Sequence, residues 1–271
     1  SHKLSKEVVM LILPADHVIT DQDSFMEAVS RSIPLATESK LVAFGVSPKG
    51  PDTNYGYIQY SGNTVEKFTE KPDIDTAKKY IASGNYLWNS GIFCFSVQTI
   101  LSEMKIHCPD ILKEARKCIE ETIHSVNNDN PQLKLNSVTY QDVPADSFDY
   151  ALMEKSENVS VVSPLLGWSD VGNWQSFGSL YETDLNNNHL NGDVTALETY
   201  DSIILGDSRT VATIGIKGIM IIDTPDALLV ATKKHSAEVG KVFEALALTR
   251  HQSTISPKTE TSAWGKADIL E

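Results

Sequence analysis

The sequence lacks an excess of basic residues. Its 271 residues include 23 Lys and Arg against 36 Asp and Glu, so the formal net charge is −13 with neutral histidines. Nucleic acids and anionic membranes attract proteins through basic surfaces. The charge therefore argues against a nucleic acid or a membrane surface as a partner.

Long apolar runs and paired cysteines are also missing. The longest apolar run, Val8–Leu13, is far shorter than the roughly 20 residues that a membrane-spanning helix needs, and no signal-peptide pattern precedes it. The three cysteines, Cys94, Cys108 and Cys118, form no CxxC motif, which suits a reducing compartment, and they are given no role. We therefore expect a cytoplasmic protein.

The hydrophobic pattern over residues 1–185 is that of an α/β domain. Val8–Leu13 is apolar throughout, which predicts a strand buried on both faces, as in parallel sheets. A helical segment from Ser24 and a second apolar strand, Leu41–Val46, complete a β-α-β unit. A hairpin over 57–68 requires antiparallel pairing. We predict a mixed, mainly parallel sheet flanked by helices.

The pattern changes to short strands after about residue 185. Apolar runs of four or five residues are separated by turns rich in glycine, aspartate and proline, which predicts a smaller β-rich region over 186–250. An amphipathic helix, Ser236–Leu248, ends this region. Residues 251–271 are predicted to be a linker or tail, because the first part of this segment is rich in serine and threonine.

Two aspartates are candidate metal ligands. Asp16 closely follows the first predicted strand, and ligand sites of open α/β sheets gather at the carboxyl ends of their strands. Asp170 lies in a glycine-flanked turn before a predicted helix. For both residues a structural alternative stays open: Asp16 caps a turn, and Asp170 caps the helix.

Other polar groups suggest a ligand site. The glycine of Tyr55-Gly56-Tyr57 would let a ligand approach the backbone between two tyrosines, although a packed hairpin edge is an equal alternative. Glu70 and Lys71 end a strand with groups suited to a sugar hydroxyl and a phosphate, although charges before a proline are usually only solvated.

Two more polar positions fit the same interpretation. Asn89-Ser90 places an amide and a hydroxyl in an otherwise apolar strand, which is unusual unless these groups bind a ligand or a neighbouring loop. Asp149 either orients a site or caps a helix.

In their order and residue identities, these segments resemble those of the mannose-1-phosphate guanylyltransferases, of the bacterial type often fused to a phosphomannose isomerase domain. The matching segments are Leu13-Pro14-Ala15-Asp16-His17, Gly56-Tyr57-Ile58, Glu70-Lys71-Pro72-Asp73, Trp88-Asn89-Ser90-Gly91, Asp149-Tyr150-Ala151-Leu152-Met153-Glu154-Lys155, Gly167-Trp168-Ser169-Asp170-Val171-Gly172 and Asp223-Thr224-Pro225-Asp226-Ala227. The resemblance implies a Rossmann-like nucleotide-diphospho-sugar transferase. In this family mannose 1-phosphate and GTP react to give GDP-mannose and pyrophosphate.

The resemblance also implies roles for individual residues. Asp16 and Asp170 would hold Mg²⁺ against the phosphates, and with Lys71, which meets the sugar phosphate, they would be the catalytic residues. The implied substrate-binding residues are Gly56, Tyr57, Glu70, Asn89, Gly91 and Asp149. A homo-oligomer is left open.

The chain departs from the family pattern in one respect. Family members carry a Gly-x-Gly-x-Arg-Leu-x-Pro loop that cradles the triphosphate and reads the guanine, whereas no glycine precedes Gly45 here. A fragment and a natural short form both stay open, and we expect the 271-residue chain to bind mannose 1-phosphate without useful GDP-mannose synthesis. The alternative functions are a catalytically silent sugar-phosphate-binding or assembly subunit and a nucleotidyltransferase with another base or sugar.

Overall fold

A computed structural model describes residues 8–127 and 130–249, together with short strands at 259–262 and 265–268. Its contacts divide the chain into two units, Ser1–Trp168 and Ser169–Glu271. The domain boundary near residue 185 stays a prediction. Among the described residues, no helix combines the length and the apolar character that a membrane span requires.

The first unit alternates strands and helices. Its strands are β1 (Val9–Ile12), β2 (Val18–Ile19), β3 (Leu41–Val46), β4 (Tyr57–Ser61), β5 (Thr64–Thr69), β6 (Tyr86–Ser96), β7 (Ile123–Asn127), β8 (Asn130–Lys134) and β9 (Val159–Val162), and β10 (Trp168–Ser169) lies at the division. Its helices are α1 (Gln22–Thr37), α2 (Ile74–Ser83), α3 (Val97–His107), α4 (Pro109–Glu120) and α5 (Ser137–Gln141), followed by a π-helical turn, Asp149–Met153.

Six strands form one mixed sheet in the order β1-β6-β3-β9-β5-β4, which confirms the mixed sheet flanked by helices. The expectation of a mainly parallel sheet is wrong. Among the described strands of this sheet, only β3 and β9 pair in parallel, and the other pairs are antiparallel. The reason is β6, whose 11 residues run opposite to β1, β3 and β4, together with the β4–β5 hairpin.

The first strand also differs from its prediction. Among the described residues β1 pairs with β6 alone, in antiparallel register from Val9↔Ser96 to Ile12↔Phe93, and none of its residues is fully buried. An apolar run reports that a segment packs against apolar neighbours, but it does not report strand direction or position in the sheet. Asp16 therefore follows a strand at the edge of the described sheet.

The core of this unit lies on both faces of β3, whose six residues are all buried. Alternate strand residues point to opposite faces. Val42 and Phe44 pack with residues of α1, whereas Leu41 and Ala43 pack with residues of the π-helical turn. Here the prediction of a second apolar strand over Leu41–Val46 is confirmed, and this strand is buried on both faces.

The second unit consists mainly of short strands, which confirms the β-rich C-terminal region. The strands are β11 (His189–Asn191), β12 (Val194–Leu197), β13 (Ile203–Leu205), β14 (Val211–Ile214), β15 (Ile219–Asp223), β16 (Leu228–Thr232), β17 (Thr259–Ser262) and β18 (Gly265–Asp268). The helices are α6 (Trp174–Gly178), a 3₁₀ helix (Lys233–Glu238) and α7 (Val239–Leu248).

The strands of this unit form sheets of their own. One has the order β11-β13-β15-β16, with parallel pairing from β11 to β15, and β12 and β14 form a separate parallel pair. Most of the predicted linker or tail, 251–271, lies outside the described residues; within it β17 and β18 pair in antiparallel fashion.

Candidate active site

Five of the predicted site residues come together at one place in the first unit. They are Gly56, which precedes β4; Glu70 and Lys71, which follow β5; Asn89 in β6; and Asp149, which opens the π-helical turn. We call these five residues the Glu70 cluster. Residues distant in sequence meet because β4 pairs with both β5 and β6.

Hydrogen bonds fix the amide of Asn89 within the Glu70 cluster. The Asn89 backbone N–H donates to the Gly56 carbonyl oxygen at 2.8 Å. Its side-chain Nδ2 donates to Asp149 Oδ1 at 2.9 Å, and its Oδ1 accepts from the backbone N–H of Gly91 at 3.1 Å. The buried amide thus has partners at both ends, which sets its orientation and that of Asp149.

Glu70 has a buried carboxyl group with incomplete hydrogen bonding. The side chain is 8% exposed, and Oε2 has no hydrogen-bond partner among the described residues. A Cβ at Gly56 would collide with Oε2, so the carboxyl group occupies space that only a glycine leaves open. The Lys71 ammonium lies 3.6 Å from Glu70 Oε1 and is largely exposed.

Burial raises the pKa of the Glu70 carboxyl group to about 7. The Asp149 carboxylate raises this pKa further, as does Glu154, whereas Lys71 opposes the rise. Burial also raises the pKa of Asp149, with Asn89 opposing. A carboxyl group that is partly protonated near neutral pH both donates and accepts hydrogen bonds, as a sugar hydroxyl requires of its partner.

Gly91, in β6, lies against the segment that follows β1 and that carries Asp16. Gly91 has a φ of +72°, and a Cβ there would lie 3.3 Å from Pro14 Cγ and 3.8 Å from His17 Cε1. The Trp168 indole N–H donates to His17 Nδ1 at 3.2 Å. These contacts anchor His17, whereas the neighbouring Asp16 carboxylate is 83% exposed and lies 3.8 Å from His17 Nε2.

Asp170 belongs to the second unit. Its Oδ1 accepts a long hydrogen bond, 3.3 Å, from the backbone N–H of Gly172. The structural alternative for Asp170 is wrong, because Asn173 caps α6 by accepting from the Ser176 N–H at 2.9 Å. Asp149 likewise caps no helix: Phe148 holds the cap position of its turn.

The metal site stays a prediction. Among the described residues, no group of three or more His, Cys, Asp or Glu side chains is arranged to hold an ion. Asp16 and Asp170 lie in different units.

The substrate-binding role of Tyr57 stays a prediction, and the structure places its side chain in the core. Its side chain is fully buried in the core of the first unit, and its hydroxyl donates to the Asp52 carbonyl oxygen and accepts from the Asp52 N–H, each at 3.0 Å. The alternative of a packed hairpin residue is correct for this tyrosine. Tyr55 packs against Trp88 and Trp168, with ring centroids 4.7 and 5.4 Å apart.

Sequence reasoning missed Glu154. Its Oε1 accepts a hydrogen bond from the backbone N–H of Glu70 at 2.6 Å, across 84 positions of the chain. The residue stands in one of the motif segments, five positions after Asp149, but nothing in that spacing predicts contact with a distant backbone.

Comparisons with known proteins find two family models that match the chain. A family model for the nucleotidyl transferases matches residues 2–187, and a model for the MannoseP isomerase/GMP-like beta-helix domain matches residues 192–246. The second match is consistent with the parallel short strands of that unit.

Relatives with curated names align over nearly the whole chain. A mannose-1-phosphate guanylyltransferase of Escherichia coli is 35% identical over 97% of this chain and 58% of its own length. The alginate biosynthesis protein AlgA of Pseudomonas aeruginosa is 33% identical over 98% of this chain and 56% of its own length. The chain therefore spans less than two thirds of these relatives.

A solved structure supports the same fold. The Thermus thermophilus protein named mannose-1-phosphate geranyltransferase aligns with a TM-score of 0.77 and 31% identity, over 88% of this chain and 70% of that one. The family model covers more than half of the chain, and the motif resemblance is confirmed. The chain belongs to the nucleotidyl transferase family.

Proposed function

We propose that this chain carries the sugar-phosphate half of a mannose-1-phosphate guanylyltransferase. In this reaction a phosphate oxygen of mannose 1-phosphate attacks the α-phosphorus of GTP, the α–β phosphoanhydride bond breaks, and pyrophosphate leaves. The names of the relatives from Escherichia coli and related bacteria support the substrates. GDP-mannose made in this way would supply polysaccharide synthesis, as the names of the alginate and xanthan biosynthesis relatives suggest.

The Glu70 cluster is the observation that carries the proposal. A buried carboxyl oxygen without a partner is costly unless a ligand completes its hydrogen bonding. Glu70 Oε2 is such an atom, and the exposed ammonium of Lys71 lies beside the same carboxyl group. A hydroxyl-bearing ring and a phosphate, joined as in a sugar 1-phosphate, match this pair.

Each member of the cluster has a part in holding the substrate. The Lys71 ammonium would bind the sugar phosphate through a charge-assisted contact. The Glu70 carboxyl group would bind a sugar hydroxyl. The Asn89 side chain orients Asp149 within the same cluster through its hydrogen bond of 2.9 Å to Asp149 Oδ1. Such contacts fix the attacking phosphate oxygen, which is the main contribution a protein makes to phosphoryl transfer.

We also propose Mg²⁺ as the cofactor, with Asp16 and Asp170 as its ligands. The donor set fits a hard cation, because both ligands are carboxylates and Asp16 is well exposed. That the two would share one ion is taken from the family resemblance. The ion would neutralise charge on the transferred phosphate groups.

The test of the ligand is binding of mannose 1-phosphate to the 271-residue chain, measured by isothermal titration calorimetry. Gly56→Ala should weaken binding about tenfold, because the added methyl group displaces the Glu70 carboxyl group. Gly50→Ala is the matched control, since nothing lies within 4 Å of its Cβ position. Absence of saturable binding by the parent chain would overturn the proposal.

Two further arms define the sugar and the cation. Equal affinity for glucose 1-phosphate would show that the sugar assignment is wrong. With GTP present, adding Mg²⁺ should strengthen the binding of mannose 1-phosphate. Asp16→Asn should remove that gain in affinity. Asp23→Asn on α1 is the control. A gain that persists in Asp16→Asn would exclude this residue as a ligand.

A further inference from the structure

The π-helical turn Asp149–Met153 brings two carboxylates to Glu70. The backbone N–H of Glu154 donates to the Asp149 carbonyl oxygen at 3.0 Å, a bond that spans five residues and separates the two side chains by one turn. The charge of Asp149 raises the pKa of the Glu70 carboxyl group, and Glu154 Oε1 accepts a hydrogen bond from the Glu70 backbone N–H at 2.6 Å. One turn thus acts on both the side chain and the backbone of Glu70.

The backbone contact lies where the chain is conformationally restricted. Lys71 has a φ of +43°, in the left-handed region that a residue with a side chain adopts only at a cost. Pro72 follows it and further restricts the conformations open to Lys71. Glu70 lies just beyond β5, which ends at Thr69. At this bend its backbone N–H donates a hydrogen bond to the Glu154 carboxylate.

We propose that Glu154 is a positioning residue that holds the Thr69–Glu70 peptide where this bend begins and so presents the Lys71 ammonium to the sugar phosphate. The inference rests on the proposed function, since it concerns the same ligand. Glu154 itself does not contact the phosphate; it acts through Lys71.

Two substitutions separate the hydrogen bond from the charge. Glu154→Gln keeps an acceptor oxygen of the same reach and removes the charge. Glu154→Asp keeps the charge but is one methylene shorter, so it withdraws the acceptor from the Glu70 N–H. Glu154→Ala removes both. Glu157→Ala is the matched control, because Glu157 is exposed on the same connection and makes no hydrogen bond or ion pair among the described residues.

We expect Glu154→Ala and Glu154→Asp to weaken mannose 1-phosphate binding about tenfold, and Glu154→Gln and Glu157→Ala to bind as the parent does. The pKa of Glu70, followed by carboxyl ¹³C NMR in the ligand-free chain, should fall in Glu154→Gln and stay raised in Glu154→Asp. If Glu154 had a purely structural role, we would not expect one variant to lose affinity with the pKa of Glu70 still raised while the other keeps its affinity with that pKa lowered.

The outcomes distinguish this inference from the proposed function. A parent chain that does not bind mannose 1-phosphate overturns the proposed function. A parent that binds, with Glu154→Asp binding equally well, overturns the positioning role alone. Glu154→Gln binding as weakly as Glu154→Ala, with an unchanged melting temperature, would also overturn it, because the acceptor would then not be the group that matters.

Discussion

Each of the two units holds one buried carboxylate beside an exposed cation. In the first unit Glu70 is 8% exposed and Lys71 56%. In the second unit the Asp223 side chain is 2% exposed and that of Arg209 63%. Both pairs combine a buried carboxylate with an exposed cation, but the geometry of the two pairs differs.

The Arg209–Asp223 pair is complete. Arg209 Nε donates to both carboxylate oxygens of Asp223 at 2.9 Å, and the guanidinium holds the pKa of Asp223 below its ordinary value. In the Glu70–Lys71 pair the charges are 3.6 Å apart, one oxygen has no partner, and burial raises the pKa of Glu70. A satisfied pair holds a fold together, whereas an unsatisfied pair leaves hydrogen-bonding capacity for a ligand.

The largest expected effect is on the ligand side of this comparison. Lys71→Met should weaken mannose 1-phosphate binding about 10- to 100-fold, because a charge-assisted contact to the phosphate is lost. Titration calorimetry measures it. Lys78→Met is the control, since Lys78 forms an exposed ion pair with Asp75 on α2. Unchanged affinity in Lys71→Met would mean that the exposed cation of this pair binds no phosphate.

The second prediction concerns the complete pair. Asp223→Asn should lower the melting temperature of the chain by several degrees at pH 7 and leave mannose 1-phosphate binding unchanged, because it breaks a bidentate pair outside the Glu70 cluster. Glu244→Gln, an exposed change on α7, is the control. A lower pKa in the folded state stabilises above the unfolded-state pKa, so this effect should shrink as pH falls through the lowered pKa of Asp223. Loss of mannose 1-phosphate binding in Asp223→Asn would show that the Arg209–Asp223 pair also serves ligand binding, and the two pairs would then not differ in role.

The contrast between the two pairs also shows what the sequence could reveal. Strand positions follow from local pattern: Leu41–Val46 is predicted and observed at the same residues, because a short apolar run favours a buried strand. Glu70, Lys71 and Asn89 are recognisable because their motifs are short and contiguous.

Other features depend on contacts that no local pattern encodes. The antiparallel direction of β1 follows from its pairing with β6, which is distant in sequence. The burial of Tyr57 depends on which face of β4 packs on the core, and the Glu154 contact joins segments 84 positions apart. That Glu70 is unsatisfied while Asp223 is paired is invisible in the sequence, because the partner of Asp223 is Arg209, 14 positions away, whereas Glu70 directly precedes a lysine.

The smallest effect concerns the cost of the unsatisfied pair. Because burial raises the folded-state pKa of Glu70 from 4.5 to about 7, the folded chain binds more protons than the unfolded chain between these pH values, and Glu70 lowers stability as pH rises through them. Glu70→Gln removes this cost. Its gain in unfolding free energy over the parent should grow from near zero at pH 4.5 to about 1–2 kcal/mol at pH 8, since water beside the exposed Lys71 screens part of the penalty.

Urea unfolding at several pH values measures this difference, with Glu66→Gln, an exposed position on β5, as the control. The same Glu70→Gln chain should bind mannose 1-phosphate more weakly, because the amide replaces the group that completes its hydrogen bonds with the ligand. A gain in stability together with a loss of binding is the expected signature of a residue retained for a ligand. A stability difference that does not change with pH would show that Glu70 is as well satisfied as Asp223, and the two pairs would then be equivalent.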